Sequence, residues 1–271
     1  MFRKDPEQHL FKDPGNILRL EPHFKYADLH VHTSCSRKDV LPAEALHPEV
    51  LYRKGREQNL DFIVFTDHDT MDAYDMIGWK RDGLVTGVEL SVRDMIRVGH
   101  TIHMNVYDLS RKQFRDLTLL NRENNIVKMT AFCRGNDLPF VYNHPFWFES
   151  GDTPQVSAIP QVCELFPVVE YNMHRVRGKN MFAWQMARQA GKGIIATTDT
   201  HIGEIGKAMT AAPGETFREY FSNIAAGNSR LIRQDWTMNN FLTEIDIWID
   251  TLRDMAREHL AEQKYTGNTK I

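Results

Sequence analysis

The stretch Phe24-Lys25-Tyr26-Ala27-Asp28-Leu29-His30-Val31-His32 decides how this chain is read. Residues 24–29 form a short run of β-favouring character, and the run ends in two histidines separated by one residue. At a strand end residues i and i+2 point to the same side, so the imidazoles of His30 and His32 can grip one cation. The arrangement recurs down the chain. The run 61–65 leads into Thr66-Asp67-His68-Asp69, and 84–90 carries Glu89 near its end. His103 lies on 101–106, Asn143-His144-Pro145 follows 140–142, Glu170 lies on 168–171, and Asp199-Thr200-His201 follows 193–197.

Between these runs, 42–58, roughly 111–133 behind a Ser110 cap, and 179–190 read as helices. Strand–helix alternation of this kind points to an α/β barrel or a doubly wound sheet. In a parallel barrel the C-terminal strand ends converge on one rim, so ligands far apart in sequence meet in one cup. Further on, Met238, Phe241, Leu242, Ile245, Trp248, Ile249, Leu252 and Met255 step by three and four, one face of an amphipathic helix over 238–263 that is expected to pack on the barrel. No repeat, low-complexity tract or Pro/Gly/Ser-rich linker divides the chain, so 1–271 is expected to be a single domain. The stretches 147–159 and 202–215 read as loops that shape the pocket.

With 42% apolar and 25% charged residues, the chain has the composition of a packed globule, and a disordered or collagen-like class is excluded. A net charge of −3 gives no global field toward nucleic acid or anionic lipid. The three cysteines, Cys35, Cys133 and Cys163, are far apart with no CxxC pair, which reads as reduced thiols in a cytoplasmic protein. Charges and prolines interrupt the N-terminal stretch where a signal peptide needs an apolar run, and no membrane-spanning stretch follows.

A carboxylate such as Glu89 can hold two cations at the spacing of two-metal hydrolysis, one on each oxygen. Asp199 and His201 place an anionic oxygen and an imidazole together, a mixed set suited to Mn²⁺, Fe²⁺ or Zn²⁺ rather than to a soft thiolate metal. Asp67 and Asp69 flank His68 and read either as groups that orient metal-bound imidazoles or as turn formers. His9, His23, His47, His100, His174 and His259 fall outside the strand-end pattern and read as surface histidines. Tyr26, Phe140, Trp147 and Trp184 read as core.

At these residues the chain resembles the PHP family, the polymerase and histidinol phosphatase family of metal-dependent phosphoesterases. The resemblance runs through DLHVHTS (28–34), FTDHDT (65–70), GVELS (87–91), the histidine of TIHMN, NHP (143–145), VEYN (169–172) and TTDTH (197–201). It implies a distorted (β/α)7 barrel with two or three divalent cations (Mn, Fe or Zn) at the C-terminal rim of the strands, hydrolysing phosphate esters with a hydroxide that bridges the metals. Residue by residue it implies that His30, His32, Glu89 and Asp199 hold one cation, that Glu89 bridges to a second held by His103 and His144, and that His68 and His201 hold a third. The family places a further ligand shortly after its first motif, and Asp39 in Cys35-Ser36-Arg37-Lys38-Asp39 is the candidate for it, with Lys38 and Arg37 beside it for a phosphate. Glu89, Asp199, His201 and Asp39 are thereby the catalytic candidates. Glu170 joins Asp67 and Asp69 as a supporting carboxylate.

Guanidinium matches two phosphoryl oxygens at once, which makes Arg175, Arg177 and Arg134 the candidate substrate contacts. A small phosphorylated molecule is the favoured substrate, and a nucleic-acid phosphodiesterase or exonuclease is the alternative. Amidohydrolase-type barrels also begin with His-x-His and end with a strand-terminal Asp, so C–N or C–O hydrolysis is a second alternative. A metal-binding module without turnover is the third.

Overall fold

The computed structural model describes residues 10–11, 23–36, 40, 44–149, 151–173 and 177–233. The chain falls into two compact units, Met1–Gln234 and Asp235–Ile271, and all described residues belong to the former. The expected helix over 238–263, like Asp39, Lys38, Arg37 and Arg175, lies outside the described residues.

The strands are β1 (Leu10–Phe11), β2 (Phe24–Asp28), β3 (Phe62–Val64), β4 (Leu84–Val85), β5 (Gly87–Asp94), β6 (His100–Tyr107), β7 (Phe140–Tyr142), β8 (Val168–Asn172), β9 (Gly193–Thr197), β10 (Ala208–Pro213) and β11 (Arg230–Arg233). The helices are α1 (Pro48–Glu57), α2 (Asp72–Ile77), α3 (Arg111–Asn121), α4 (Ile126–Gly135), α5 (Ile159–Cys163), α6 (Arg177–Gln189) and α7 (Phe217–Ala225). The fold is mixed α/β, as expected. The strands form two sheets rather than one parallel ring, with orders β1-β11-β10-β2-β3-β4 and β5-β6-β7-β8-β9.

The expectation of uniform strand–helix alternation fails at β6. Only residues 95–99 join β5 to β6, far too few for the crossover that a parallel pair needs, so β6 runs antiparallel to β5 and also to β7. β10 likewise runs antiparallel to β2 and β11. The single helix expected over 111–133 is two. Ser110 and Gln113 close a capping box at the start of α3, and Asn124, with φ 50°, breaks the helix before Asn125 caps α4.

The sheets touch at two single-residue bridges, Val31 with Thr200 and His68 with Glu89, both parallel. Each bridge lies at candidate metal ligands. Below them, a core cluster takes one apolar side chain from each of seven strands: Ala27, Val64, Tyr107, Val141, Val168, Ile195 and Ala212. Helix α7 supplies Phe217, Tyr220, Phe221 and Ile224 to the same cluster, a stripe at i, i+3, i+4 and i+7.

Because strand side chains alternate with period two, the next positions on the same inner face lie one layer higher. On four of these strands they are polar: Asn105 above Tyr107, Asn143 above Val141, Glu170 above Val168 and Thr197 above Ile195, all buried. One layer higher again come His103, Asn172 and Asp199. The apolar floor therefore gives way to a polar middle layer and then to a layer of ligand-bearing side chains.

Candidate metal centre

The side chains of His30, His32, Glu89, His103, His144 and Asp199 converge on one buried cluster, with His68 and His201 at its margin. His30 Nε2 lies 3.1 Å from His32 Nε2, 3.1 Å from Glu89 Oε2 and 3.2 Å from Asp199 Oδ1. His32 Nε2 lies 3.3 Å from Glu89 Oε2 and 3.2 Å from Asp199 Oδ1. An imidazole nitrogen has one lone pair or one proton and cannot satisfy three partners at once. Donors at about 2.1 Å from one cation lie about 3.0–3.4 Å apart in octahedral or tetrahedral shells, which is the spacing found among these four atoms.

Glu89 spans two sets of imidazoles. Its Oε2 faces His30, His32 and His68 Nδ1, the last at 3.2 Å, and accepts no hydrogen bond from the described residues although it is buried. Its Oε1 faces His103 Nδ1 at 3.1 Å and His144 Nε2 at 3.5 Å, and is fixed by Asn143 Nδ2 donating at 2.8 Å. His68 and His201 stack on the His32 ring with centroids 4.7 and 4.3 Å away, and a ligand atom from each of the three rings comes within 4.8 Å of the others. His68 also groups with Glu89 and His103, so it stands between the expected second and third sites.

The supporting bonds turn one nitrogen of each ring toward the cluster. His30 Nδ1 donates to Glu170 Oε1 at 2.6 Å, His32 Nδ1 to Ser36 Oγ at 3.1 Å, and His201 Nδ1 to the Asp199 carbonyl at 2.9 Å. His103 Nε2 lies 3.2 Å from Glu149 Oε1, leaving Nδ1 toward Glu89. Bonds of this kind select the tautomer and ring orientation of a metal ligand. Asn172 Nδ2 donates to Asp199 Oδ2 at 2.7 Å, which leaves Oδ1 facing the two imidazoles. Asp199 and His144 hold positive φ angles of 49° and 25°, a conformation uncommon for residues other than glycine.

The electrostatics fit a cation. Burial alone would lower the His32 pKa, but the facing carboxylates of Asp199 and Glu89 outweigh burial and push it up to about 10. His103 goes up to about 9 by the same balance, with Glu89 and Glu149 overriding burial. Burial would raise the Glu89 carboxyl, yet the charges of His30, His68 and His103 hold it well below its ordinary range. Buried carboxylates demand positive partners, and divalent ions meet that demand more compactly than protonated imidazoles.

Of the supporting carboxylates, Glu170 accepts from Thr197 Oγ1 at 2.6 Å and from the His144 N–H at 2.8 Å besides His30. Asp67 ties the end of β3 to that of β2, its oxygens accepting from Thr33 N–H and Thr33 Oγ1 at 2.6 and 2.8 Å. Asp69 accepts from the Ser91 N–H at 3.2 Å and so ties its turn to β5. Arg134 is not brought to the cluster. It donates to the Leu165 carbonyl at 2.6 Å and lines a cavity of about 430 Å³ with Pro139, Phe140 and Pro167, at the opposite ends of β7 and β8. Arg177 opens α6, and its side chain lies outside the described residues.

One surface expectation and one core expectation are corrected. His100 is buried, with Nδ1 donating to the Val98 carbonyl at 2.9 Å and its ring edge-on to Phe148, because the β5–β6 turn folds back over it. Trp147 is half-buried rather than core and packs edge-on against His103 and His144. The reading also missed Asn105, Asn143, Asn172 and Thr197 as supports, although each lies on the inner-face register of a ligand or of Glu170. Glu149 lies in a loop, and no periodicity marks it.

No family model and no curated protein matches this chain. Solved structures do. PsfC from Pseudomonas syringae PB-5123 is 14% identical with a TM-score of 0.58, covering 85% of this chain and 99% of its own. A two-domain protein from Bacteroides vulgatus ATCC 8482 containing a predicted PHP-like metal-dependent phosphoesterase is 16% identical at 0.50, with coverages of 78% and 66%. The lesion-specific endonuclease PfuEndoQ from Pyrococcus furiosus is 13% identical at 0.53, with coverages of 77% and 57%. An amidohydrolase from Chromobacterium violaceum, solved with sulfate, is 14% identical at 0.51, with coverages of 76% and 97%. The chain thus spans just over half of the endonuclease and about two thirds of the two-domain protein. At these identities the likeness is one of fold, shared by PHP-like phosphoesterases and an amidohydrolase. Among the described residues no helix is long and apolar enough to cross a membrane.

Proposed function

We propose that this protein is a metal-dependent phosphoesterase acting on a small phosphorylated molecule, with two or three divalent cations held by His30, His32, Asp39, His68, Glu89, His103, His144, Asp199 and His201. The observation that carries the reading is Glu89, which turns one oxygen to His30, His32 and His68 and the other to His103 and His144. We read the two bridged sheets as a distorted seven-stranded barrel whose rim bears this set, on the support of the seven-strand inner core.

Divalent cations bound there would supply Lewis acidity toward phosphoryl oxygens and acidify bound water. The chain's own part is to hold that set rigid. Glu170 keeps the His30 Nε2 lone pair turned inward, Asn172 and Asn143 each lock one carboxylate oxygen, and the apolar floor excludes water from below. Arg175, Arg177 and Lys38 are proposed to meet the phosphate. Glu89 in the bridging position favours phosphate esters over the amidohydrolase alternative, for which a bridging lysine is the expected feature.

The test is turnover by protein stripped and reloaded with Mn²⁺, Fe²⁺ or Zn²⁺, comparing an aryl phosphomonoester, an aryl phosphodiester, a single-stranded oligonucleotide and an aryl lactone. Preferred release of inorganic phosphate from the monoester supports the proposal. Preference for the oligonucleotide, with strong salt dependence, moves the substrate to nucleic acid. Lactone hydrolysis without any phosphate-ester turnover overturns it.

A further inference from the structure

We infer that Glu149 is a positioning residue for the second cation, acting through His103; this rests on the proposed assignment of His103 as a ligand. A surface loop is built around one imidazole. His103 Nδ1 lies 3.1 Å from Glu89 Oε1 while its other nitrogen, Nε2, lies 3.2 Å from Glu149 Oε1. One nitrogen therefore faces the shared carboxylate and the other donates to a second carboxylate. That chain of carboxylate, imidazole and cation fixes the tautomer and raises the basicity of the ligating nitrogen.

The loop holds Glu149 in place from several sides. Its Oε2 accepts from Thr101 Oγ1 at 3.3 Å, and its N–H donates to Asp152 Oδ2 at 2.9 Å. Asp152 Oδ2 also accepts from the Thr101 N–H at 3.4 Å. Beyond it, Thr153 N–H donates to the Gly99 carbonyl at 2.9 Å and Gln155 N–H to the Val98 carbonyl at 2.7 Å, clamping the loop to the β5–β6 turn. The same loop begins at His144, so one segment supplies one second-site ligand directly and orients the other through Glu149. The Glu149 side chain is 44% exposed, which makes it accessible to substitution without opening a core cavity.

The experiment is equilibrium dialysis of the full chain against Co²⁺ and Zn²⁺, with the Co²⁺ visible spectrum as a second readout, on wild type, Glu149→Ala, Glu149→Gln and His103→Ala. The expected result is two classes of site in wild type, with Glu149→Ala weakening only the weaker class by roughly 10- to 100-fold and altering its Co²⁺ band. Glu149→Gln, which keeps an acceptor oxygen, falls between. Retention of the tighter class reports that the variants are folded. Both classes within twofold of wild type in Glu149→Ala, with the weaker class lost in His103→Ala, would overturn the inference and leave the site reading intact. Loss of both classes in Glu149→Ala would overturn it by making the loop a general scaffold. Both classes intact in His103→Ala would remove the second-site assignment, and the inference with it.

Discussion

Glu170→Gln changes no shape and one charge, and the structure says what it does. The carboxylate serves four donors: Oε1 takes His30 Nδ1 and Thr197 Oγ1, both at 2.6 Å, and Oε2 takes the His144 N–H at 2.8 Å and Asn172 Nδ2 at 3.3 Å. An amide has one oxygen and one NH₂, so two donors must meet a donor. If the NH₂ faces His144 N–H, a buried backbone donor is left unpaired, at a cost of about 1–3 kcal/mol. If it faces His30, the ring relieves the clash by moving its proton to Nε2, and that nitrogen can no longer ligate. Either way His30 loses its charged acceptor, for a neutral amide oxygen or for a donor, and affinity for the first cation falls, by roughly 10- to 100-fold. In the former case the melting temperature also drops, by about 2–4 °C per kcal/mol for a domain of this size. Competition with a coloured chelator measures the affinity, and calorimetry with and without Zn²⁺ measures the melting shift. An affinity within twofold of wild type would refute the role given to Glu170.

Without metal His32 and His103 stay protonated up to about 10 and 9, so each cation must displace a proton; affinity falls about tenfold per pH unit per displaced proton as pH drops below about 9, measured as proton release in buffers of different ionisation enthalpy. The linkage for stability without metal has the opposite sense: folded-state pKa values above the ordinary 6.5 stabilise below that pH, and the contribution is lost as pH rises through about 9 and 10, visible in melts of stripped protein. Cys133 and Cys163 are buried with thiols pushed up to about 12 and 11, so neither is alkylated at pH 8 until the chain unfolds, as mass spectrometry after iodoacetamide would report. Gly193→Ala puts a Cβ onto the Ile224 carbonyl where β9 meets α7, and is expected to cost about 1–3 kcal/mol in denaturant unfolding.

The candidate ligand set is legible because it is written with strand periodicity. β7 and β9 have the bounds expected from sequence, and His30, His32, His144 and Asp199 follow their strands by the few residues that the pattern requires. His103 lies within a strand that runs antiparallel to its neighbours, and it reaches the rim because β6 starts there. β10 falls in a stretch that reads as loop, since Ala208-Met209-Thr210-Ala211-Ala212-Pro213 has little β character and owes its conformation to pairing with β2 and β11. Helix α7 was missed although its Thr216–Glu219 capping box is present in the sequence. Glu149 was invisible because its place depends on a loop folded against a hairpin far away in sequence.

The most direct test of the account is Glu89→Gln, read by metal content and by phosphate release from an aryl phosphomonoester. One carboxylate joining two imidazole sets predicts at least two cations per wild-type chain, about one in the variant, and turnover lower by at least about 100-fold. A variant that keeps its cations and an activity within a few-fold of wild type would contradict it.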